Sequence, residues 1–169
     1  MKNITVAEMP KMTAPNPVTL VCTEMPDGGT NLATISWWTI LSFNPPMIGI
    51  CMSKASYSGE RLKETGRIIL TVPSEEIAQP AFLCGTVSGR DKKKAAEFGI
   101  GLQAFPNTNI KIPVHSKLAV ACNLKEVVET GDHNLYICTA ENVSADESKV
   151  AVFAWDGYAR VEPLPRANH

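Results

Sequence analysis

Thr30 to Thr39 reads T-N-L-A-T-I-S-W-W-T, and the fold turns on how that stretch is placed. Ala33, Ile35 and Trp37 alternate with Thr34, Ser36 and Trp38, so an extended segment here has one apolar face and one face of hydroxyls and an indole. Such a strand walls a polar, aromatic pocket. Two adjacent tryptophans also call for a cover, since a buried indole N–H needs a partner and an exposed one leaves a large apolar surface in water. A flat ligand or a partner subunit supplies it.

Upstream, Asn16-Pro17 ends an irregular leader and Val18 to Thr23 reads as a strand. Pro26-Asp27-Gly28-Gly29 is a turn, because aspartate and glycine provide the local hydrogen bonding and positive φ of a reversal. The two strands therefore pair as a hairpin. Downstream, Asn44-Pro45-Pro46 blocks a helix and forces an extended entry into Met47 to Met52, an apolar and therefore central strand. Ser58 reads as the N-cap of a helix over Gly59 to Thr65 that Gly66 stops. With Ser53, Lys54 and Ser56 before it, this cap is either a phosphate cradle, where free helix N–H groups, hydroxyls and an ammonium converge, or an ordinary capped surface helix.

Ile68 to Val72 is a further strand. Ser74-Glu75-Glu76 opens a helix toward Phe82 and Leu83, with Pro80 as a kink or restart. Ser88-Gly89-Arg90-Asp91-Lys92-Lys93-Lys94 is a polar loop before a short helix through Phe98. Its lysines form a solvated face, unless Ser88, Gly89 and Lys92 close on a phosphate held by the earlier loop. Gly99-Ile100-Gly101 lacks the third glycine and preceding strand of a dinucleotide fingerprint. Leu102 to Lys117, rich in proline and asparagine, reads as a cover for a site or a partner. Ala119 to Val128 and Leu135 to Val143 are strands joined through Glu129 to His133, and Val150 to Trp155 reads as the last strand. Roughly eight short strands with few helices in a non-βαβ order favour an antiparallel barrel.

The 169 residues, 44% hydrophobic and 20% charged, suit one domain with an adequate core. Sixteen basic against seventeen acidic residues give a net charge of −1, which is no footprint for nucleic acid or an anionic membrane. Without a signal-like or membrane-length apolar run, the expected location is cytoplasmic. Cys22, Cys51, Cys84, Cys122 and Cys138 are an odd, widely spaced set, against a disulfide framework or a four-cysteine metal site, and no metal is expected. Four lie in apolar runs as small buried thiols. Cys84, in a loop-like setting, is a candidate for lining a site.

Taken together, N-L-A-T-I-S-W-W at Asn31 to Trp38, N-P-P at Asn44 to Pro46, S-Y-S at Ser56 to Ser58, S-G-R-D-K at Ser88 to Lys92 and G-D-H at Gly131 to His133 resemble the flavin reductase-like family, the FMN-binding split barrels that include the flavoredoxins. The resemblance runs from about Asn16 to Tyr158. It implies a mainly β fold, an antiparallel Greek-key split β-barrel of about six strands with a few flanking helices, usually as a homodimer with FMN near the interface. It divides the chain into a leader (1–15), an FMN-binding domain (16–160) and a C-terminal tail (161–169).

By the family pattern, Asn31, Thr34, Ser36 and Trp37 line the isoalloxazine side, Trp37 or Trp38 packs near the ring, and backbone amides near Ala33 and Ser36 face its polar edge. Lys54, Ser56, Ser58 and Lys92 would hold the phosphate, with Ser53 and Ser88 of the same two loops as further cofactor-binding candidates. Trp155 and Tyr158 cap the ring or pack the core. His133 is either a hydrogen-bonded turn residue, with Asp132 its structural partner, or the group that orients flavin and nicotinamide. No obligate acid or base is implied, since hydride passes directly between nicotinamide and flavin.

The resemblance thus implies an FMN oxidoreductase with NAD(P)H as co-substrate, or a flavoredoxin-type carrier reduced by a redox protein partner. A non-catalytic barrel dimer, its tryptophans packing an interface, is the reading outside flavin chemistry.

Overall fold

The computed structural model describes residues 1–164; the end of the expected C-terminal tail, 165–169, lies outside the described residues. After a short helix α1 (Met9–Met12) and strand β1 (Asn16–Pro17), β2 (Thr19–Glu24) and β3 (Thr30–Ile35) pair in the expected hairpin. Its turn closes through Met25 and Gly29, with Gly28 at φ 78, a conformation that costs glycine little. Next come β4 (Trp38–Phe43), β5 (Pro46–Ser53), α2 (Tyr57–Thr65), β6 (Arg67–Pro73), α3 (Ala78–Cys84), α4 (Lys94–Glu97), the short β7 (Leu102–Gln103) and β8 (Ile112–Pro113), the long β9 (Ser116–Thr130) and β10 (His133–Ala145), and finally β11 (Val152–Trp155) and β12 (Arg160–Pro163).

The main sheet has seven strands in the order β3-β2-β6-β9-β10-β5-β4, one more than the resemblance implied, and all its ladders are antiparallel. Its first and last strands, β3 and β4, are consecutive in the chain with only Ser36 and Trp37 between them. The sheet must therefore curl until its edges meet, and the place where they meet without pairing is the split of the barrel. β5 lies second from that edge, so the apolar run 47–52 is internal, as expected.

Alternation along the strands sends side chains to two cores. Val21, Ile50, Met52, Ile68, Leu70, Cys122, Tyr136 and Cys138 fill the barrel. Leu20, Cys22, Leu32 and Ile69 face outward beneath Ile77, Ala81 and Cys84 from the α3 region and Phe105, Ile110 and Ile112 from the β7–β8 excursion. The 102–117 segment thus covers the sheet's own outer core.

Three readings need correction. The T-N-L-A-T-I-S-W-W-T stretch is two strands, because after Ile35 the chain stops pairing with β2 and is handed to β5. The N-cap of α2 is Ser56, whose hydroxyl accepts from the Gly59 amide at 3.2 Å; Ser58 lies inside the first turn, and Gly66, at φ 71, ends the helix as expected. Trp155 does not end the last strand: β12 follows and Val161 on it is 8% exposed, so the segment assigned to the tail begins inside the sheet β1-β11-β12.

Candidate functional site

The crossing from β3 to β4 is fixed at two points. Ser36 Oγ donates to Pro17 O at 2.6 Å, and the Cys51 amide donates to Trp37 O at 2.8 Å. Beside it a cavity of about 620 Å³ opens into the split, within the range of small-molecule sites. Asn31, Ala33, Thr34 and Ile35 of β3 form one wall, continued by Ser36 and Trp37. Cys51, Met52 and Ser53 of β5, Ala55 and Ser56 after it, and Tyr57 and Ser58 at the start of α2 form the second. Phe82 and Cys84 of α3 and the loop Gly85–Gly89 close the third, with Lys94 behind it, while His133 and Tyr158 stand at the mouth.

The two polar loops do converge. Arg90 donates to Ala55 O at 3.2 Å, pairs with Glu60 and lies 5.2 Å over the Tyr57 ring, fastening the 88–91 loop to the 53–57 loop. Between them Asn31, 2% exposed, donates from Nδ2 to Thr23 Oγ1 (3.1 Å) and Ser58 Oγ (2.9 Å). Its Oδ1 is buried beneath Gly89 without a hydrogen-bond partner. Gly89 is what permits this approach: a Cβ there would lie 2.0 Å from Asn31 Oδ1 and 2.9 Å from the Tyr57 ring. The α2 N-terminus opens onto the same place. Ser56 takes the Gly59 and Glu60 amides through its hydroxyl and carbonyl, while the Tyr57 and Ser58 amides have no acceptor within the helix.

The lysines sort differently from expectation. Lys54 pairs with Glu129 at 3.2 Å, Lys92 with Glu97 at 2.9 Å and Lys93 with Asp27 at 2.8 Å, and none of the three lines the cavity. Lys94 does. It is 4% exposed and its ammonium donates to Cys84 O at 2.7 Å; burial lowers its pKa, and the nearby Cys84 opposes that shift. Sequence reading passed over it as one of three lysines in a row, although Lys94, Ala95 and Phe98 share the inward face of a helical turn. No carboxylate is among the described residues that line the cavity. One ammonium, several serine hydroxyls and a helix N-terminus line this cavity, each a group that attracts an anion.

Of the other expected site residues, Asn31, Ala33, Thr34, Ser36, Trp37, Ser53, Ser56, Ser58, Ser88 and His133 all line the cavity. The Thr34 and Ser36 hydroxyls are already committed, to Ala81 O and Pro17 O, so toward a ligand they act as acceptors. Trp38 is a correction: once the chain resumes as β4 its indole packs against the barrel core, with Nε1 buried and unpartnered. Trp155 is another, lying beneath Arg160 at 5.6 Å with Nε1 directed to Glu162 O. Tyr158, three residues on, reaches the cavity instead. At the mouth His133 Nδ1 lies 2.8 Å from Asp132 Oδ1, and that hydrogen bond lowers the Asp132 pKa. Trp37 packs against His133 with centroids 4.8 Å apart, and its Nε1 donates to the Tyr158 hydroxyl at 2.7 Å.

All five cysteines are free. Burial pushes the Cys22, Cys122 and Cys138 thiols up to about 12 and Cys84 up to about 11; Cys84, as expected, also lines the cavity. Cys51, expected to be buried, is half-buried and lines the cavity.

An antiparallel barrel split between its own edge strands, with an aromatic-walled cavity beside the split, defines the class of fold. The chain belongs to the flavin reductase-like family: the model of the flavin reductase like domain matches residues 12–162. It is similar to a flavin reductase of Pseudomonas putida, 24% identical over 85% of this chain and 81% of that one. Its fold matches flavoredoxin of Desulfovibrio vulgaris (Miyazaki F), with a TM-score of 0.83, 22% identity and coverage of 100% and 96% of the two chains. It also matches an FMN-binding protein from Thermus thermophilus solved with p-hydroxybenzaldehyde, with a TM-score of 0.81, 18% identity and coverage of 100% and 99%. Alignments with proteins of Archaeoglobus fulgidus and Pyrococcus abyssi, 27% and 28% identical, take in 63% of this chain and 60% and 61% of theirs.

Proposed function

We propose that the cavity binds FMN and that the protein transfers a hydride or electrons between NAD(P)H and flavin or a downstream acceptor. The observation that carries this reading is the polarity of the cavity. Among the described residues that line it, Lys94 is the only formal positive charge besides the ionisable His133, none is a carboxylate, and Ala33, Ile35 and Trp37 supply an apolar wall. An amphiphile with an anionic end and a planar ring fits that division.

Ser53, Ser56, Ser58 and Ser88, the first-turn amides of α2 and Lys94 would hold the phosphate, and Lys94 replaces Lys54 and Lys92 in that role. Asn31 braces Ser58 at this wall through its Nδ2 hydrogen bond. Bound flavin supplies reversible hydride chemistry at its N5. The chain's contribution is to orient the ring against Trp37, exclude water from the split and leave the His133 side open to a second reactant.

We further infer a homodimer in the cytoplasm. β4 is an edge strand whose Ile40, Leu41 and Phe43 are 54%, 45% and 86% exposed, an apolar edge that a second copy would cover. Sedimentation tests it, and a monomer at micromolar concentration refutes it.

The functional test is the visible spectrum of the purified protein, repeated after anaerobic NADPH or NADH. Two flavin bands that bleach promptly support the reductase. Bands that persist until a protein donor is added mark an electron carrier, and a colourless protein that ignores added FMN removes the proposal.

A further inference from the structure

Asp156, Gly157 and Tyr158 have φ of 52, 68 and 73, three consecutive residues in the left-handed region. Glycine takes that conformation at no steric cost, but for a residue as bulky as tyrosine it is strained, and strain of this kind persists where surrounding contacts over-determine it. Those contacts are present. Arg160 Nε holds Asp156 Oδ2 at 2.7 Å, the Ala159 amide donates to Trp155 O at 3.0 Å, and the Lys11 side chain lies so close over Gly157 that a Cβ there would be 2.9 Å from Lys11 Cγ. The turn is clamped from both sides.

The clamped turn delivers the phenol to Trp37. The Tyr158 oxygen accepts the indole N–H at 2.7 Å, which fixes the ring that packs on His133 at 4.8 Å and 34°. With its oxygen taken by that bond, the phenol still has a proton to give, and among the described residues its O–H has no acceptor. An O–H that itself accepts a hydrogen bond is polarised into a better donor. Trp37 and His133 are too close for a third ring to enter between them, so a planar ligand stacks on the aromatic wall they form.

We propose that Tyr158 is a specificity-determining residue at the mouth of the cavity: it locks Trp37 in place and offers its O–H to a planar ring bearing a carbonyl or carboxamide oxygen. This deepens the proposed function by assigning a residue to the recognition of the second reactant, and it rests on that reading only for the presence of flavin behind the mouth. The same ring without the oxygen gains the stacking and loses the hydrogen bond.

The test uses flavin-free protein labelled with ¹⁵N, in which each of the three tryptophans gives one indole N–H resonance. Trp37→Phe assigns the Trp37 signal by removing it. Tyr158→Phe should move that signal upfield and leave the other two in place. Nicotinamide and 3-methylpyridine, which differ in the carboxamide, are then titrated. The wild type should prefer nicotinamide by about five- to tenfold, the worth of one ordinary hydrogen bond, and Tyr158→Phe should abolish the preference. Should that variant fold poorly, Trp37→Phe, which frees the phenol from its fixed direction, should reduce the same preference.

An unmoved Trp37 resonance, no preference in the wild type, or an equal loss for both probes overturns the proposal. A preference seen in a protein that takes up no FMN sustains it while removing the proposed function. FMN binding without the preference does the reverse.

Discussion

Lys94→Met isolates the anion half of the site. Methionine keeps the length of the stem and removes the charge; Lys94 is 4% exposed, donates to Cys84 O, and among the described residues lining the cavity there is no carboxylate. A phosphate brought to that ammonium forms a charge-assisted hydrogen bond worth about 1.5–3 kcal/mol, so the FMN dissociation constant should rise about ten- to a hundredfold. Riboflavin, which lacks the phosphate, should bind both proteins alike. Fluorescence titration with each flavin measures the pair, and equal losses for FMN and riboflavin would refute the placement of phosphate at Lys94.

Stability in flavin-free protein follows from the same burial. The folded-state pKa of Lys94 lies below its ordinary 10.5, so folding opposes its charged form. That cost is fully present below the folded value and fades as pH rises through it toward 10.5. Lys94→Met without flavin should therefore melt no lower than the wild type at neutral pH, with the difference between the two drifting toward the wild type in alkali. A large loss of melting temperature in the variant would show that the ammonium is held by more than one carbonyl.

Lys92→Ala should leave FMN affinity within a factor of two, because Lys92 is paired with Glu97 outside the cavity and exposed pairs contribute little; a tenfold loss by the same titration would return Lys92 to the site. Gly89→Ala drives a methyl to 2.0 Å from Asn31 Oδ1, and denaturant unfolding should show a loss of about 1–3 kcal/mol, the usual cost of overpacking. An unchanged midpoint would mean the loop carrying Gly89 yields freely. At roughly pH 8, near the ordinary thiol pKa, Ellman's reagent should modify Cys51 first and the other four only on unfolding, with FMN slowing the Cys51 reaction. Equal labelling of Cys51 with and without FMN would separate that thiol from the bound ligand.

Most of the strands and the turns between them were legible because their signals are local. Alternation in 31–35, the Asp27-Gly28-Gly29 turn and the Gly66 stop each act through the backbone of a few residues. Reading 30–39 as one strand failed at Ser36 because what breaks it there is non-local: a hydroxyl bonded to Pro17 O and a carbonyl, Trp37 O, claimed by Cys51. Which tryptophan faces the cavity follows from that break, so Trp38 was misplaced with it.

The lysines failed for a different reason. Lys92, Lys93 and Lys94 are chemically identical in sequence, and only the partners Glu97, Asp27 and Cys84 O distinguish them in space. The choice of Ser58 over Ser56 as cap was a one-turn error between two serines of equal capping chemistry; Asn31, distant in sequence, had already engaged Ser58. β12 escaped notice because R-V-E-P is short and ends in proline, and it is a strand only because β11 is there to receive it.

One feature of the sheet reaches beyond the site. Asn31 on β3 and Ser53 on β5 face the same cavity, yet four strands, β2, β6, β9 and β10, separate β3 from β5 along the ladder. A molecule that touches both works as a removable staple across the ends of the sheet, closing a circuit that the hydrogen bonds leave open. Binding free energy gained there is shared by every strand in the circuit. A thermal shift on flavin binding would then report the closure of the whole barrel as well as the occupancy of one pocket.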